Sequence, residues 1–121
     1  MNVFDSSALL AYLRDEPGAD TVRKQLELGG CCSAANWSEV VQKVRAAGAD
    51  WSLARQLLMS YALTIEPVGV ADAEAAAVMW KPGSGLSLAD RLCLVLGARL
   101  KARVWTSDTQ WASVDGVTLV R

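Results

Sequence analysis

The sequence predicts an α/β fold with a mostly parallel sheet, and three observations support this class. Short apolar runs alternate along the chain with longer segments of helical character, and alternating strands and helices form parallel sheets through right-handed crossovers. Hydrophobic residues make up 52% of the 121 residues and charged residues 21%, which excludes a disordered chain. No linker, internal repeat or low-complexity tract beyond one Ala-rich helix is visible, so we expect a single domain over residues 1–121.

Two strands and four helices are predicted in the first half of the chain. In order, they are a strand over residues 2–5, helices over 8–14 and 19–28, a strand over 31–35, a helix opened by Asn36, and a helix that ends at Tyr61. Ser6 or Ser7 can cap the first helix, since hydroxyl side chains accept hydrogen bonds from exposed backbone amides. Glycines at 29–30 and 48 end the later elements.

The second half contains three more strands and two long helices. In order, they are a strand over 63–68, an Ala-rich helix over 71–80, a loop over 81–85, a helix from Ser87 to about 101, a strand over 103–106, a short turn or helix over 108–112, and a strand over 117–120. Trp37, Trp80 and Trp105 fall inside apolar elements and are predicted to lie in the core. Trp51 and Trp111 lie near element ends, where exposure is expected.

Several classes of active site are excluded by composition. The chain has no histidine, which removes Ser-His-Asp and Cys-His nucleophilic sites and histidine metal sites. Its 12 basic and 13 acidic residues give a net charge of −1, unlike a duplex-DNA binder. Three cysteines, two of them adjacent, favour buried free thiols in a reducing cytoplasm. No signal segment or membrane span is predicted, and any hydrolysis must depend on carboxylates, a metal, or both.

Four carboxylates stand at positions where a parallel sheet collects functional groups. Asp5 ends the first strand, Asp108 follows the fourth by two residues, and Glu39 and Asp90 lie in the first turns of helices. Ligands bind such sheets at the carboxyl ends of the strands, where strand order reverses. If the first and fourth strands are neighbours, all four face one crevice. Each also has a structural interpretation: Asp5 can simply end its strand, and Asp108 can cap the short helix after it. Asp90 with Ser87, and Glu39 with Asn36, have the spacing of a capping box, and Glu39 can also pair with Lys43.

If these four side chains converge, their negative charges repel one another strongly unless a positive charge lies among them. Two carboxylates about 5 Å apart repel by about 3 kcal/mol at an effective dielectric of 20. Six such pairs would total roughly 15–20 kcal/mol, comparable with the stability of a whole domain. Protons or a hard cation such as Mg²⁺ or Mn²⁺ would relieve this repulsion, and a bound cation can activate water for attack on a phosphate.

The flanks of the four residues resemble a known family. Asp5 lies in Val-Phe-Asp-Ser-Ser-Ala-Leu-Leu, Glu39 in Ser-Ala-Ala-Asn-Trp-Ser-Glu-Val-Val, Asp90 in Leu-Ser-Leu-Ala-Asp-Arg-Leu, and Asp108 in Val-Trp-Thr-Ser-Asp-Thr-Gln-Trp. In this order, and over nearly the whole chain, they resemble PIN-domain ribonucleases, specifically the VapC toxins of type II toxin–antitoxin systems. The resemblance implies a five-stranded sheet in the order 3-2-1-4-5 with helices on both faces.

The resemblance also implies an activity and partners. It implies Mg²⁺- or Mn²⁺-dependent cleavage of single-stranded or looped RNA by metal-activated water. Asp5, Glu39, Asp90 and Asp108 would bind the metal directly or through water, and one of them, which the resemblance does not identify, would assist proton removal. A homodimer and a cognate antitoxin that blocks the site are implied as well.

Further residues are candidates for supporting roles. Ser6, Asn36 and Thr106 can orient the carboxylates. Arg91, directly after Asp90, and Lys81, in the preceding loop, can contact RNA. A catalytically weak PIN-like binding module and another metal-dependent phosphohydrolase remain as alternative functions. The number of metal ions and the RNA target stay open.

Overall fold

The computed structural model describes all residues from 1 to 121. The strands are β1 Asn2–Phe4, β2 Gly30–Ser33, β3 Leu63–Glu66, β4 Arg103–Thr106 and β5 Val117–Leu119. The helices are α1 Ser6–Leu13, α2 Ala19–Leu28, α3 Ala34–Ala46, α4 Trp51–Met59, α5 Val70–Val78 and α6 Leu88–Leu100, with a 3-10 turn at Thr109–Trp111. The predicted order of elements is confirmed, and their ends lie within two residues of the predicted ones.

The five strands form one parallel sheet in the order β3-β2-β1-β4-β5, which confirms the implied topology. β1 occupies the centre, where Val3 pairs with Cys31 of β2 and Phe4 with Trp105 of β4. Strand order reverses at this point, because the chain first builds outward through β2 and β3 and then returns to β4 on the other side. The carboxyl ends of β1 and β4 therefore adjoin at the switch point of the sheet.

The two faces of the sheet bury separate apolar cores. Adjacent strand residues point to opposite faces, so Phe4 packs with side chains of α1 to α4 in one core, whereas Val3 packs with side chains of α6 and Trp111 in the other. α5 lies outside α6, against which it buries only Ala76. None of the helices combines the length and the hydropathy needed to cross a membrane.

Two helix caps differ from the predicted ones, and both differences matter for the site. The carboxylate of Asp5, rather than Ser6 or Ser7, caps α1. Ser33 caps α3, which begins two residues before Asn36, so Asn36 and Glu39 do not form a capping box. Overlapping cap candidates within a few residues look alike in sequence, and the packing of the helix decides between them.

Two tryptophan predictions are wrong. Trp111 is 1% exposed and belongs to the core on the α6 side of the sheet, whereas Trp80 is 58% exposed. α5 ends at Val78, so Trp80 lies beyond the helix whose apolar face was expected to bury it. Trp111 ends a short 3-10 turn that folds back onto the sheet and covers Val3 and Val104.

Candidate active site

The four predicted carboxylates lie at the carboxyl side of the sheet. Asp5 follows β1 directly and its amide donates to the Trp105 carbonyl of β4 at 3.1 Å. Asp108 follows β4 by two residues. Glu39 lies in the second turn of α3, which follows β2, and Asp90 lies in the first turn of α6.

Asp5 is the most buried of the four and is held by several donors. It is 3% exposed, its Oδ1 accepts from the Ala8 amide at 2.8 Å, and the Ser7 hydroxyl donates to its two oxygens at 2.7 and 2.9 Å. Thr106 donates to Oδ2. The pKa of Asp5 is raised to about 6, because burial and, to a lesser extent, the charge of Asp90 raise it more than the hydrogen bonds lower it.

Thr106 and Ser7 connect the ends of β1 and β4. The Thr106 hydroxyl accepts from the Asp108 amide at 3.0 Å while it donates to Asp5. Ser7 accepts from the Ser107 amide at 3.0 Å. The sequence predicts only a cap hydroxyl at Ser7. Its position two residues after an N-cap aspartate is the signal for its role here, since that spacing places the hydroxyl beside the cap carboxylate.

Asp90 and Asp108 each use one oxygen to cap a helical turn. Asp90 Oδ2 accepts from the Ser87 amide at 2.9 Å in a reciprocal capping box. Asp108 Oδ1 accepts from the Gln110 amide at 2.9 Å. Burial raises the pKa of Asp90, and the charges of Glu39 and Asp108 add to the shift. Because the charge of Asp90 also acts on Asp5, the four carboxylates share one electrostatic environment.

Glu39 is half-buried and is held on one side. Its Oε1 accepts from the Ser6 hydroxyl at 2.9 Å and from Asn36 Nδ2 at 3.1 Å. Of the four carboxylates, Glu39 is therefore the one that Ser6 contacts. Asn36 is completely buried, and its Oδ1 has no hydrogen-bond partner.

Comparison with protein families decides which class this arrangement belongs to. The PIN-domain model matches residues 3–117, almost the whole chain. The chain belongs to the PIN-domain family. PIN domains are generally nucleases, and PIN nucleases typically use a divalent metal. No curated protein shows significant similarity to the chain.

The PIN domain also has a counterpart among solved structures. A chain of a toxin–antitoxin complex from Klebsiella pneumoniae superposes on it with a TM-score of 0.77 at 18% sequence identity. The match covers 100% of this chain and 98% of that one. At this identity the similarity shows a shared fold across the full length.

The donor atoms of this PIN domain suit a hard divalent cation. Three oxygens, one each on Glu39, Asp90 and Asp108, accept no hydrogen bond from the protein. No basic side chain forms an ion pair with any of the four carboxylates, since the ion pairs involve Asp20, Glu27 and Asp72. Mg²⁺ and Mn²⁺ prefer such oxygen ligands. No group of three or more His, Cys, Asp or Glu is arranged to hold a metal ion in this conformation. The four carboxylates therefore match a divalent cation in the type of donor atom and in charge, but not in spacing.

The two predicted RNA contacts differ in their surroundings. Lys81 is exposed in the loop between α5 and α6. Arg91 is half-buried; one of its terminal nitrogens donates to the Ala76 carbonyl of α5 at 2.8 Å, and its Nε is buried without a partner. Arg91 thus ties α5 to the first turns of α6, and a contact with RNA stays a prediction for both residues.

Proposed function

We propose that this PIN domain is a Mg²⁺- or Mn²⁺-dependent endoribonuclease that cleaves single-stranded or looped RNA as the VapC-type toxin of a toxin–antitoxin pair. In this proposal residues 1–121 form one nuclease domain, and Asp5, Glu39, Asp90 and Asp108 bind the metal directly or through water. The observation that supports it best is the set of three carboxylate oxygens without protein donors, on Glu39, Asp90 and Asp108, in a generally nucleolytic family. The charge of Asp90 also acts on the buried Asp5, and those of Glu39 and Asp108 act on Asp90.

Each carboxylate has a defined task in the proposed site. A divalent cation, when bound, supplies positive charge at the phosphate and lowers the pKa of an attacking water. Asp5, fixed by Ser7 and Thr106, provides a buried negative charge that favours a cation over an empty site. Asp90 and Asp108 keep one oxygen on a backbone amide, which orients the other for the cation. One of the carboxylates accepts the proton of the water.

The substrate and partners rest on the motif resemblance and on the fold shared with a chain of a toxin–antitoxin complex. RNA is the proposed substrate, with Lys81 and Arg91 as candidate contacts. A cognate antitoxin and a second copy of the chain are the proposed protein partners. Three buried free cysteines agree with residence in a reducing cytoplasm.

Cleavage of a labelled single-stranded RNA in Mg²⁺ or Mn²⁺ tests the activity. We expect EDTA to stop cleavage, and Asp5→Asn or Asp90→Asn to reduce it at least about 100-fold while circular dichroism stays native. Asp115→Asn is the matched control, because Asp115 is an exposed turn residue away from the four carboxylates. Cleavage that persists in EDTA and in both variants would exclude the proposed mechanism.

The same assays separate the alternatives. A catalytically weak binding module would retain RNA in a gel shift without cutting it, and another phosphohydrolase would release phosphate from a small ester but leave RNA intact. For the toxin role, we expect expression to arrest growth and coexpression of the adjacent small antitoxin to restore it. Normal growth with a folded, abundant chain would count against that role.

A further inference from the structure

We propose that Asn36 is a positioning residue that, with Ser6, holds one carboxylate oxygen of Glu39 and leaves the other free for the cation. The inference rests on the proposed function, because it concerns a ligand of the same site. It assigns a task to the completely buried polar side chain of α3.

Asn36 occupies a position that an apolar residue would normally fill. The buried residues of α3 are Asn36, Val40 and Val44, spaced four apart on the face that packs into the core. Asn36 is 0% exposed. A buried amide is unfavourable unless its donors and acceptor are hydrogen-bonded, so packing alone does not explain an asparagine here.

Only the nitrogen of the Asn36 side-chain amide is hydrogen-bonded, and its oxygen is not. Nδ2 donates to Glu39 Oε1 at 3.1 Å, whereas Oδ1 has no partner. A flipped amide would place Oδ1 against a carboxylate oxygen, so the bond to Glu39 fixes the orientation of the group. The buried carbonyl thus weakens the fold. Buried polar groups without a partner are expected at functional positions, where stability is given up for another role.

The two donors to Glu39 come from different helices. Ser6, the first residue of α1, donates at 2.9 Å, and Asn36 donates from the first turn of α3. Ser6 also follows Asp5 directly, so the same bond ties Glu39 to the start of the helix that Asp5 caps. A glutamate side chain has several rotatable bonds, and two fixed donors on Oε1 restrict where Oε2 can lie. Partners of this kind behind a metal ligand typically contribute about 10- to 100-fold to metal affinity.

Asn36→Leu tests this role, because leucine has the same number of side-chain heavy atoms, likewise branched at Cγ, suits a helix interior and removes both the donor and the unpaired carbonyl. We expect its melting temperature to be unchanged or raised by roughly 2–5 °C. Mn²⁺ affinity, measured by titration calorimetry on the metal-free chain, should fall roughly 10- to 100-fold. Cleavage should fall at limiting Mg²⁺ and recover as Mg²⁺ saturates, which a purely structural role would not produce.

Ser6→Ala provides the second variant, and we expect it to weaken Mn²⁺ binding in the same direction. Ser38→Ala is the matched control, since Ser38 is exposed on α3 beside Glu39 and makes no hydrogen bond to it. Normal Mn²⁺ affinity in a folded Asn36→Leu variant would overturn the inference. If that variant unfolds, normal affinity in folded Ser6→Ala would overturn it.

Measurements on the parent chain distinguish failure of the positioning role from failure of the proposed function. If it binds Mn²⁺ and cleaves RNA while the variants do the same, only the positioning role fails. If the parent chain itself neither binds Mn²⁺ nor cleaves RNA, the proposed function fails and the positioning role fails with it.

Discussion

Replacement of Asp5 by asparagine should make the metal-free protein more stable at neutral pH. Burial raises the pKa of Asp5 from 3.8 to about 6. A carboxyl group whose pKa is higher in the folded state binds its proton more tightly there. Its contribution to stability is complete below about pH 3.8 and is lost as the pH rises through about 6. Above that pH the fold carries a buried charge that asparagine does not have.

The size of the effect follows from the shift in the pKa of Asp5. A rise from 3.8 to about 6 is about two units, and one unit corresponds to 1.36 kcal/mol, which gives about 3 kcal/mol. For a domain of this length that is roughly 10 °C in melting temperature. Asparagine keeps an acceptor for the Ala8 amide, and the Ser7 and Thr106 hydroxyls can reverse to accept from its amide nitrogen. Most of the difference should therefore remain.

Urea unfolding of both proteins in EDTA from pH 4 to pH 8 measures this difference. All other titratable groups are shared, so their contributions largely cancel when the two free energies of unfolding are subtracted. We expect the advantage of Asp5→Asn to grow by about 2 kcal/mol between pH 4 and pH 7, because part of the full change has already occurred at pH 4. Saturating Mg²⁺ should then stabilise the parent chain but not the variant. A difference that does not vary with pH would refute the reasoning.

Two further substitutions test the packing around the site. Trp111→Ala should lower the free energy of unfolding by about 3–5 kcal/mol, because the Trp111 side chain is only 1% exposed. Trp80→Ala should change that free energy by about 0.5 kcal/mol or less, because Trp80 is 58% exposed. A larger loss for Trp80→Ala than for Trp111→Ala in urea unfolding would contradict the assigned core. Gly97→Ala should lower the free energy of unfolding by roughly 1–2 kcal/mol. The new Cβ would lie 2.5 Å from Val104 Cγ2, where α6 packs against β4. A melting temperature equal to that of the parent chain would show that α6 and β4 can move apart to make room for it.

The sequence predicts this fold well because its signals are periodic and repeated. Alternating apolar runs and helical segments define the element order, and the family resemblance supplies the order of the strands. Asp5 and Asp108 then come together because β1 and β4 are neighbours. The capping box of Ser87 and Asp90 is also readable, since both of its bonds are local.

Contacts between distant elements are less accessible from sequence. Nothing in the local pattern shows that Ser6 reaches Glu39 across 33 positions, or that Thr106 joins Asp5 to the Asp108 amide. A hydroxyl near the start of a helix is typical of a helix cap. Only the packing of α1 against α3 shows that the Ser6 hydroxyl donates to Glu39 instead.

Capping a helix and binding a cation are compatible tasks for one carboxylate, although sequence reasoning sets them against each other. Asp72 and Asp90 both lie in the first turn of a helix and both accept from the cap residue's amide. The second oxygen of Asp72 is bound by Arg99 at 3.1 Å, whereas that of Asp90 has no protein donor. A carboxylate oxygen without a protein donor does not by itself indicate a cation site. Asp50 also caps a helix, α4, with one oxygen and leaves the other free, but it lies at an exposed helix start. Asp90 differs because burial raises its pKa and the charges of Glu39 and Asp108 add to the shift, and a cation would relieve that repulsion.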